Sequence, residues 1–213
     1  MSKRILITGT AGFIGSAIAE KLLIDGLSIC GIDNHNSYYD VTLKEARVSR
    51  LNIYDSYQHH KKDILDLESI QKICKEFKPE IILHLAAQPG VRYSLENPMS
   101  YIDSNLRVFA NILELSKSIN IDHLIFASSS SVYGNNNSIP YSENDNVDKP
   151  LNLYAATKKS NELMSYAYSH LYNIPITGLR FFTVYGPWGR PDMAPMILIK
   201  SIMEGKKIKV HNH

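Results

Sequence analysis

Short apolar runs alternate along the chain with longer stretches in which apolar side chains recur every three or four residues. The runs RILIT (4–8), SICGID (28–33), 57–62, EIILHL (80–85), DHLIFAS (122–128) and PITGLRF (175–181) read as strands. The helical period predicts helices over 13–25, 66–77, 98–119, 151–172 and 194–204, and KKIKV at 206–210 reads as one more strand. Strands alternating with helices imply βαβ units and a mostly parallel sheet with helices on both faces. The near-continuous apolar strands agree, because central parallel strands are buried on both sides. The expected fold class is therefore α/β, a doubly wound parallel sheet. Two connections, 34–56 and GNNNSIPYSENDNVDKP at 134–150, read as long loops of the kind that often bind ligands.

Composition narrows the class without naming a chemistry. Of 213 residues, 44% are hydrophobic and 21% charged, so a packed core is expected. A net charge of +2 with scattered Lys and Arg argues against nucleic acid and against a membrane surface as partners. Cys30 and Cys74 lie inside apolar segments, which reads as buried thiols in a reducing compartment. The eight histidines form no ligand cluster, so no metal is expected, and the pairs at 59–60 and 211–213 read as exposed. The chain enters its first strand directly, without a signal-type apolar segment, and a cytoplasmic location is the expectation.

The first strand runs into TGTAGFIG, which sets Gly9, Gly12 and Gly15 at G-x-x-G-x-x-G spacing where a helix begins. A pyrophosphate needs this arrangement: a tight turn, backbone with no Cβ in the way, and free N–H groups at a helix N-terminus. Phe13 and Ile14 lie within that loop. The second strand ends at Asp33, followed by Asn34, where a carboxylate would accept hydrogen bonds from the adenosine ribose and repel a 2′-phosphate. NAD is thereby favoured over its phosphorylated form. Asp63, with Ile64 after it, occupies the matching position behind the third strand. Farther along, Tyr154 and Lys158 stand four apart at the start of a predicted helix, hence on one face.

The glycine loop, Asp33, HLAA at 84–87, SSSSVYG at 128–134 and Tyr154-x-x-x-Lys158 occur in that order. In this the chain resembles the extended short-chain dehydrogenase/reductases, and among them the nucleotide-sugar epimerases. AAQPGVRYSLENPMSYIDSN (86–105) and RFFTVYGPWGRPDMA (180–194) are similar to the UDP-glucuronate 4-epimerases in particular. The resemblance implies a Rossmann-type NAD-binding domain over 1–181 and the start of an incomplete substrate-binding lobe over 182–213.

Within that family the Tyr, here Tyr154, acts as base and acid on the sugar 4-hydroxyl. Lys158 favours its phenolate, and Ser129 is the partner hydroxyl, although four serines in a row leave Ser129, Ser130 and Ser131 open as candidates. Leu85, Ala86, Ala87, Asn105, Ser128 and Phe181 are implied on the NAD side. Pro89, Arg92, Ser129, Ser130, Ser131, Thr183 and Arg190 are implied on the UDP-sugar side, with Thr183 and Arg190 suited to a sugar carboxylate. A 4,6-dehydratase would carry an Asp–Glu pair beside the hydroxyl, and a UDP-glucuronate decarboxylase a Glu; SSSSVYG has neither.

The implied reaction is 4-epimerisation of UDP-glucuronate to UDP-galacturonate, with an epimerase for another UDP-hexose as the alternative. Family members are longer, so an inactive NAD-binding fragment is the competing expectation. A homodimer through helices 98–119 and 151–172 is also implied.

Overall fold

The computed structural model describes residues 2–207, and most of the expected strand at 206–210 falls outside them. Six parallel strands form one sheet: β1 (Arg4–Thr8), β2 (Ser28–Asp33), β3 (Tyr57–Lys61), β4 (Ile81–His84), β5 (His123–Ser129) and β6 (Ile176–Phe181). Their spatial order is β3-β2-β1-β4-β5-β6. The connections are α1 (Phe13–Ile24), α2 (Val41–Leu51), α3 (Leu67–Phe77), the short α4 (Tyr93–Glu96) and α5 (Pro98–Tyr101), then α6 (Val108–Ser118) and α7 (Leu153–Tyr172); α8 (Ala194–Met203) follows β6.

Alternation along the strands feeds two cores. Leu6, Cys30, Ile32, Ile82, Leu124 and Phe126 face Ile70, Ile73, Cys74, Phe109, Ile112 and Leu113 from α3 and α6. Ile5, Ile7, Ile29 and Leu83 face Ala19, Leu23, Val48 and Leu51 from α1 and α2. This two-sided burial is why β1 reads RILIT rather than alternating with polar residues. Both thiols are buried and free, and burial raises each to about 12.

The expected strands agree with the structure to within a residue or so at each end. The segment 34–56, expected as a loop, instead contains α2, whose side chain cap is Asp40 accepting from the Thr42 N–H. Its buried face carries Lys44 and Arg47 beside Val48 and Leu51, so the apolar period is interrupted by two charges. The expected helix 98–119 is α5 and α6 joined through a π-helical stretch, Ile102–Arg107. Segment 134–150 is an irregular connection, as expected, pinned by the Asp145 carboxylate, which accepts from Asn136 Nδ2 at 2.8 Å.

The expectation for the His59–His60 pair fails at its first member. His59 is packed on Tyr57 and His35, its Nε2 lies 2.9 Å from the His35 Nε2, and burial lowers its pKa to about 4. Among the described residues, no helix is long and apolar enough to cross a membrane.

Candidate active site

The strand order reverses direction between β1 and β4, and the crevice outside the strand ends at such a point is where α/β sheets take ligands. A cavity of about 420 Å³ opens there. The ends of β1, β2, β4, β5 and β6 contribute Gly9, Asp33, Leu85–Ala87, Ser128–Ser131 and Phe181–Thr183 in turn.

At one end, Gly9 turns with φ +80°, and a Cβ there would meet the Ala86 backbone N at 2.8 Å. A Cβ on Gly15 would lie 2.1 Å from the Gly9 carbonyl oxygen, so the turn and the helix start exclude any side chain. Gly12 caps α1 without a side-chain hydrogen bond, and the first turn holds no acidic residue. The N-terminal N–H groups of α1 thus face the cavity with their positive dipole end uncompensated. Asp33 accepts from Ala11 N–H (3.1 Å) and His35 N–H (2.8 Å), which fixes the carboxylate and leaves lone pairs for a diol. Beside it Asn34 Nδ2 donates to Asp63 Oδ2 at 2.9 Å. This cradle of three glycines, free N–H groups and a held carboxylate fits a dinucleotide.

At the other end, α7 begins at Leu153 behind the Asn152 cap and presents Tyr154 and Lys158 one turn apart. Lys158 is buried; its Nζ donates to Ala127 O at 2.8 Å, and burial lowers its pKa to about 8. Burial raises the Tyr154 phenol, and the Ser129 hydroxyl and the Arg190 charge pull it partly back. In the protein alone burial outweighs both, so the phenol stays above its ordinary value.

Two of the four serines have hydroxyls with partners: Ser128 Oγ donates to Glu162 Oε1 (2.6 Å), and Ser129 Oγ accepts from Ser131 N–H at 3.1 Å. Glu162 also receives both ends of the Arg180 guanidinium, at 2.9 and 3.0 Å. Thr183 is exposed on the cavity rim, and Arg190 is held by Asp192 in a two-point contact, 3.1 and 2.5 Å.

Nearly all the sequence-selected positions meet at this cavity: Gly9, Gly12, Phe13, Ile14, Gly15, Asp33, Asn34, Asp63, Ile64, Leu85, Ala86, Ala87, Pro89, Ser128, Ser129, Ser130, Ser131, Tyr154, Lys158, Phe181, Thr183 and Arg190. Two do not. Asn105 is buried behind the wall, its Oδ1 accepting from Gln88 N–H and its Nδ2 donating to Thr157 Oγ1, so it braces the loop after β4 against α7. Arg92 is exposed, outside the lining.

The sequence reading marks 34–56 as a loop of the kind that binds ligands but does not single out Tyr38, Tyr39 and Lys44, which line the cavity from it. Its tyrosines gave the one usable signal, an aromatic cluster in a polar stretch. His84 is buried at the end of β4 with Nδ1 2.8 Å from Thr8 Oγ1. Trp188 packs under the Arg50 guanidinium, 4.7 Å from its ring centre.

Known proteins carry the same pattern. The model of the NAD dependent epimerase/dehydratase family matches residues 5–213. A Staphylococcus aureus protein called CapI is 56% identical over 210 residues, 99% of this chain and 63% of its own. A probable UDP-glucuronate 4-epimerase of Rhizobium meliloti is 50% identical over 208 residues, 98% of this chain and 61% of its own. The crystal structure of the Bacillus cereus UDP-glucuronic acid 4-epimerase with UDP-glucuronic acid and NAD is 40% identical, with a TM-score of 0.88 over 95% of this chain and 64% of that one. The chain thus spans rather less than two thirds of the length of these relatives. On the family match over nearly its whole length, the chain belongs to the NAD dependent epimerase/dehydratase family.

Proposed function

We propose that the chain carries the NAD-binding and catalytic part of a UDP-glucuronate 4-epimerase, interconverting UDP-glucuronate and UDP-galacturonate through a 4-keto sugar. The observation that carries this reading is the convergence of Tyr154, Lys158 and the Ser129–Ser131 run with the glycine cradle on one cavity. When bound, NAD supplies a reversible hydride acceptor for the sugar C4 and a positive ring charge that favours the Tyr154 phenolate. Gly9, Gly12, Gly15, Asp33 and Asn34 would hold it.

Tyr154 takes the 4-hydroxyl proton and returns one to the 4-keto oxygen once the sugar has turned over. Ser129, beside Tyr154, steadies that oxygen. Lys158, with a pKa of about 8, stays mainly an ammonium at neutral pH and keeps positive charge below the reacting centre. Ser130, Ser131, Thr183 and Arg190 are assigned to the sugar carboxylate, where three hydroxyls and a guanidinium suit it better than a CH₂OH. Residues 182–213 are assigned to the start of the substrate-binding lobe. Exposed Met99, Leu163 and Tyr166 support pairing of segment 98–119 and α7 with a second copy, and light scattering at the monomer mass would reject it. Buried free thiols support a reducing, cytoplasmic setting.

The test is to incubate the chain with UDP-glucuronate and NAD⁺ and follow UDP-galacturonate by NMR, with Tyr154→Phe as control. Product that disappears in the control supports the reading. Saturable NAD⁺ binding without product rejects turnover by this chain and leaves a cofactor-binding unit.

A further inference from the structure

Arg47 heads the large side chains that are fully buried, and every group it touches is neutral. Its Nε and Nη2 donate to Trp188 O (3.2 and 2.6 Å), Nη2 also to Gly189 O (3.3 Å), and Nη1 to Ala11 O (3.0 Å) and Tyr39 OH (2.6 Å). All five N–H donors of the fork are thereby used. A guanidinium taken out of water without a carboxylate is costly, and only a complete set of good hydrogen bonds makes it tolerable.

What the fork joins is specific. Ala11 lies inside the glycine loop, between Gly9 and Gly12, and Trp188–Gly189 lie just before Arg190, which lines the other end of the cavity. The two sides are 36 and 141 residues from Arg47.

The receiving turn is held under strain. Trp188 has φ +63°, an outlier for a bulky side chain, and such backbone persists only where its surroundings over-determine it. One turn along α2 from Arg47, Arg50 stacks on the Trp188 ring at 4.7 Å while its Nη2 donates to both Glu20 oxygens of α1 at 2.7 Å. Trp188 is therefore gripped through its carbonyl and its ring by the same helix face.

We infer that Arg47 is a positioning residue: its fork fixes the 186–190 turn, and with it Arg190, against the glycine loop, so that both ends of the cavity are set at one spacing. The inference rests on the assignment of Arg190 to the sugar carboxylate.

The test compares the full chain with Arg47→Met and Arg47→Lys, the second keeping the charge but not the fork. Hydrogen exchange of peptides covering 185–193 is read without ligand. NAD⁺ and then UDP-glucuronate binding are read by calorimetry, and melting by circular dichroism. The fork predicts about tenfold faster exchange confined to 185–193 in both variants, the scale of one or two lost charge-assisted hydrogen bonds. It also predicts about tenfold weaker UDP-glucuronate binding with NAD⁺ affinity changed about threefold or less.

Unchanged exchange at 185–193 overturns it. So does a parallel loss in exchange protection everywhere, melting temperature and both affinities, which marks Arg47 as a general core residue. If Arg47→Met fails to fold, Arg47→Lys carries the comparison. If the unmodified chain binds NAD⁺ but no UDP-glucuronate, the substrate assignment fails, and the ligand-free exchange comparison still decides the role of Arg47.

Discussion

At the dinucleotide end of the cavity the working groups are backbone N–H groups and one held carboxylate; at the end proposed for the sugar they are side chains carried partly on a loop. The first end is built where no Cβ fits: positions 9 and 15 would collide with backbone at 2.8 and 2.1 Å. The second is built from the α7 start, the strand end at Ser129 and the irregular segment after β6, where Thr183 is exposed and Arg190 leans on its neighbour Asp192. A backbone-built end is preset by the chain trace and fails all at once. A side-chain end is adjustable residue by residue, which is where members of one family can differ in the sugar they accept.

The sharpest separation should come from Tyr154→Phe. Removing the proton-transfer group is expected to lower turnover about 10³-fold, with NAD⁺ titration and melting close to unmodified; a parallel loss of NAD⁺ binding would merge the two ends. Gly15→Ala attacks the other end. Pushing a methyl onto the Gly9 carbonyl is expected to destabilise by about 3 kcal/mol and to abolish NAD⁺ binding, measured by urea unfolding and calorimetry. A variant that melts normally and binds NAD⁺ would show the cradle to be less rigid than its geometry.

Arg180→Met tests what lies beneath the sugar end. The Arg180–Glu162 pair ties β6 to α7 and orients Ser128, and both side chains are largely shielded, at 18% and 17% exposure. Loss of one partner is expected to cost about 2 kcal/mol in chemical unfolding, more than an exposed pair such as Lys21–Asp25 on α1, which should be worth under about 1 kcal/mol.

Acid should distinguish the ends as well. Burial lowers His59, beside the adenosine-side segment, from 6.5 to about 4 and His84, at the centre of the sheet, from 6.5 to about 3. Between those values and 6.5 the unfolded chain binds more protons, so stability falls as pH drops through that window. Melting curves from pH 7 to 4 should show this, and His59→Gln should flatten part of the slope. The smallest effect expected is Thr183→Val: about fivefold weaker UDP-glucuronate binding from one lost hydrogen bond, with NAD⁺ affinity unchanged.

Much of the fold was legible because the central parallel strands, buried on both faces, leave short apolar runs that alternate with longer helix-period stretches. The glycine loop, Asp33 and the Tyr154–Lys158 pair were legible for a related reason: each is a local pattern whose chemistry needs that spacing. Helix α2 was not, since its inner face includes Lys44 and Arg47, and a charge buried on distant carbonyls leaves no trace in periodicity. The pair His59–His60 misled in the same way, because a polar edge strand can still be covered by the loop that follows another strand.

By itself, then, the sequence determined the order of the six strands, the site of the dinucleotide cradle and the placing of Tyr154 and Lys158 on one helix face, since these depend on neighbours within a few residues. Only the tertiary structure decided that Ser128 donates to Glu162, that Asn105 supports the wall and Arg92 stands outside it, and that Arg47 spans from Ala11 to Trp188. Those outcomes depend on which hydrogen-bond partners arrive from 17 to 141 residues away, and no local spacing encodes an arrival of that kind.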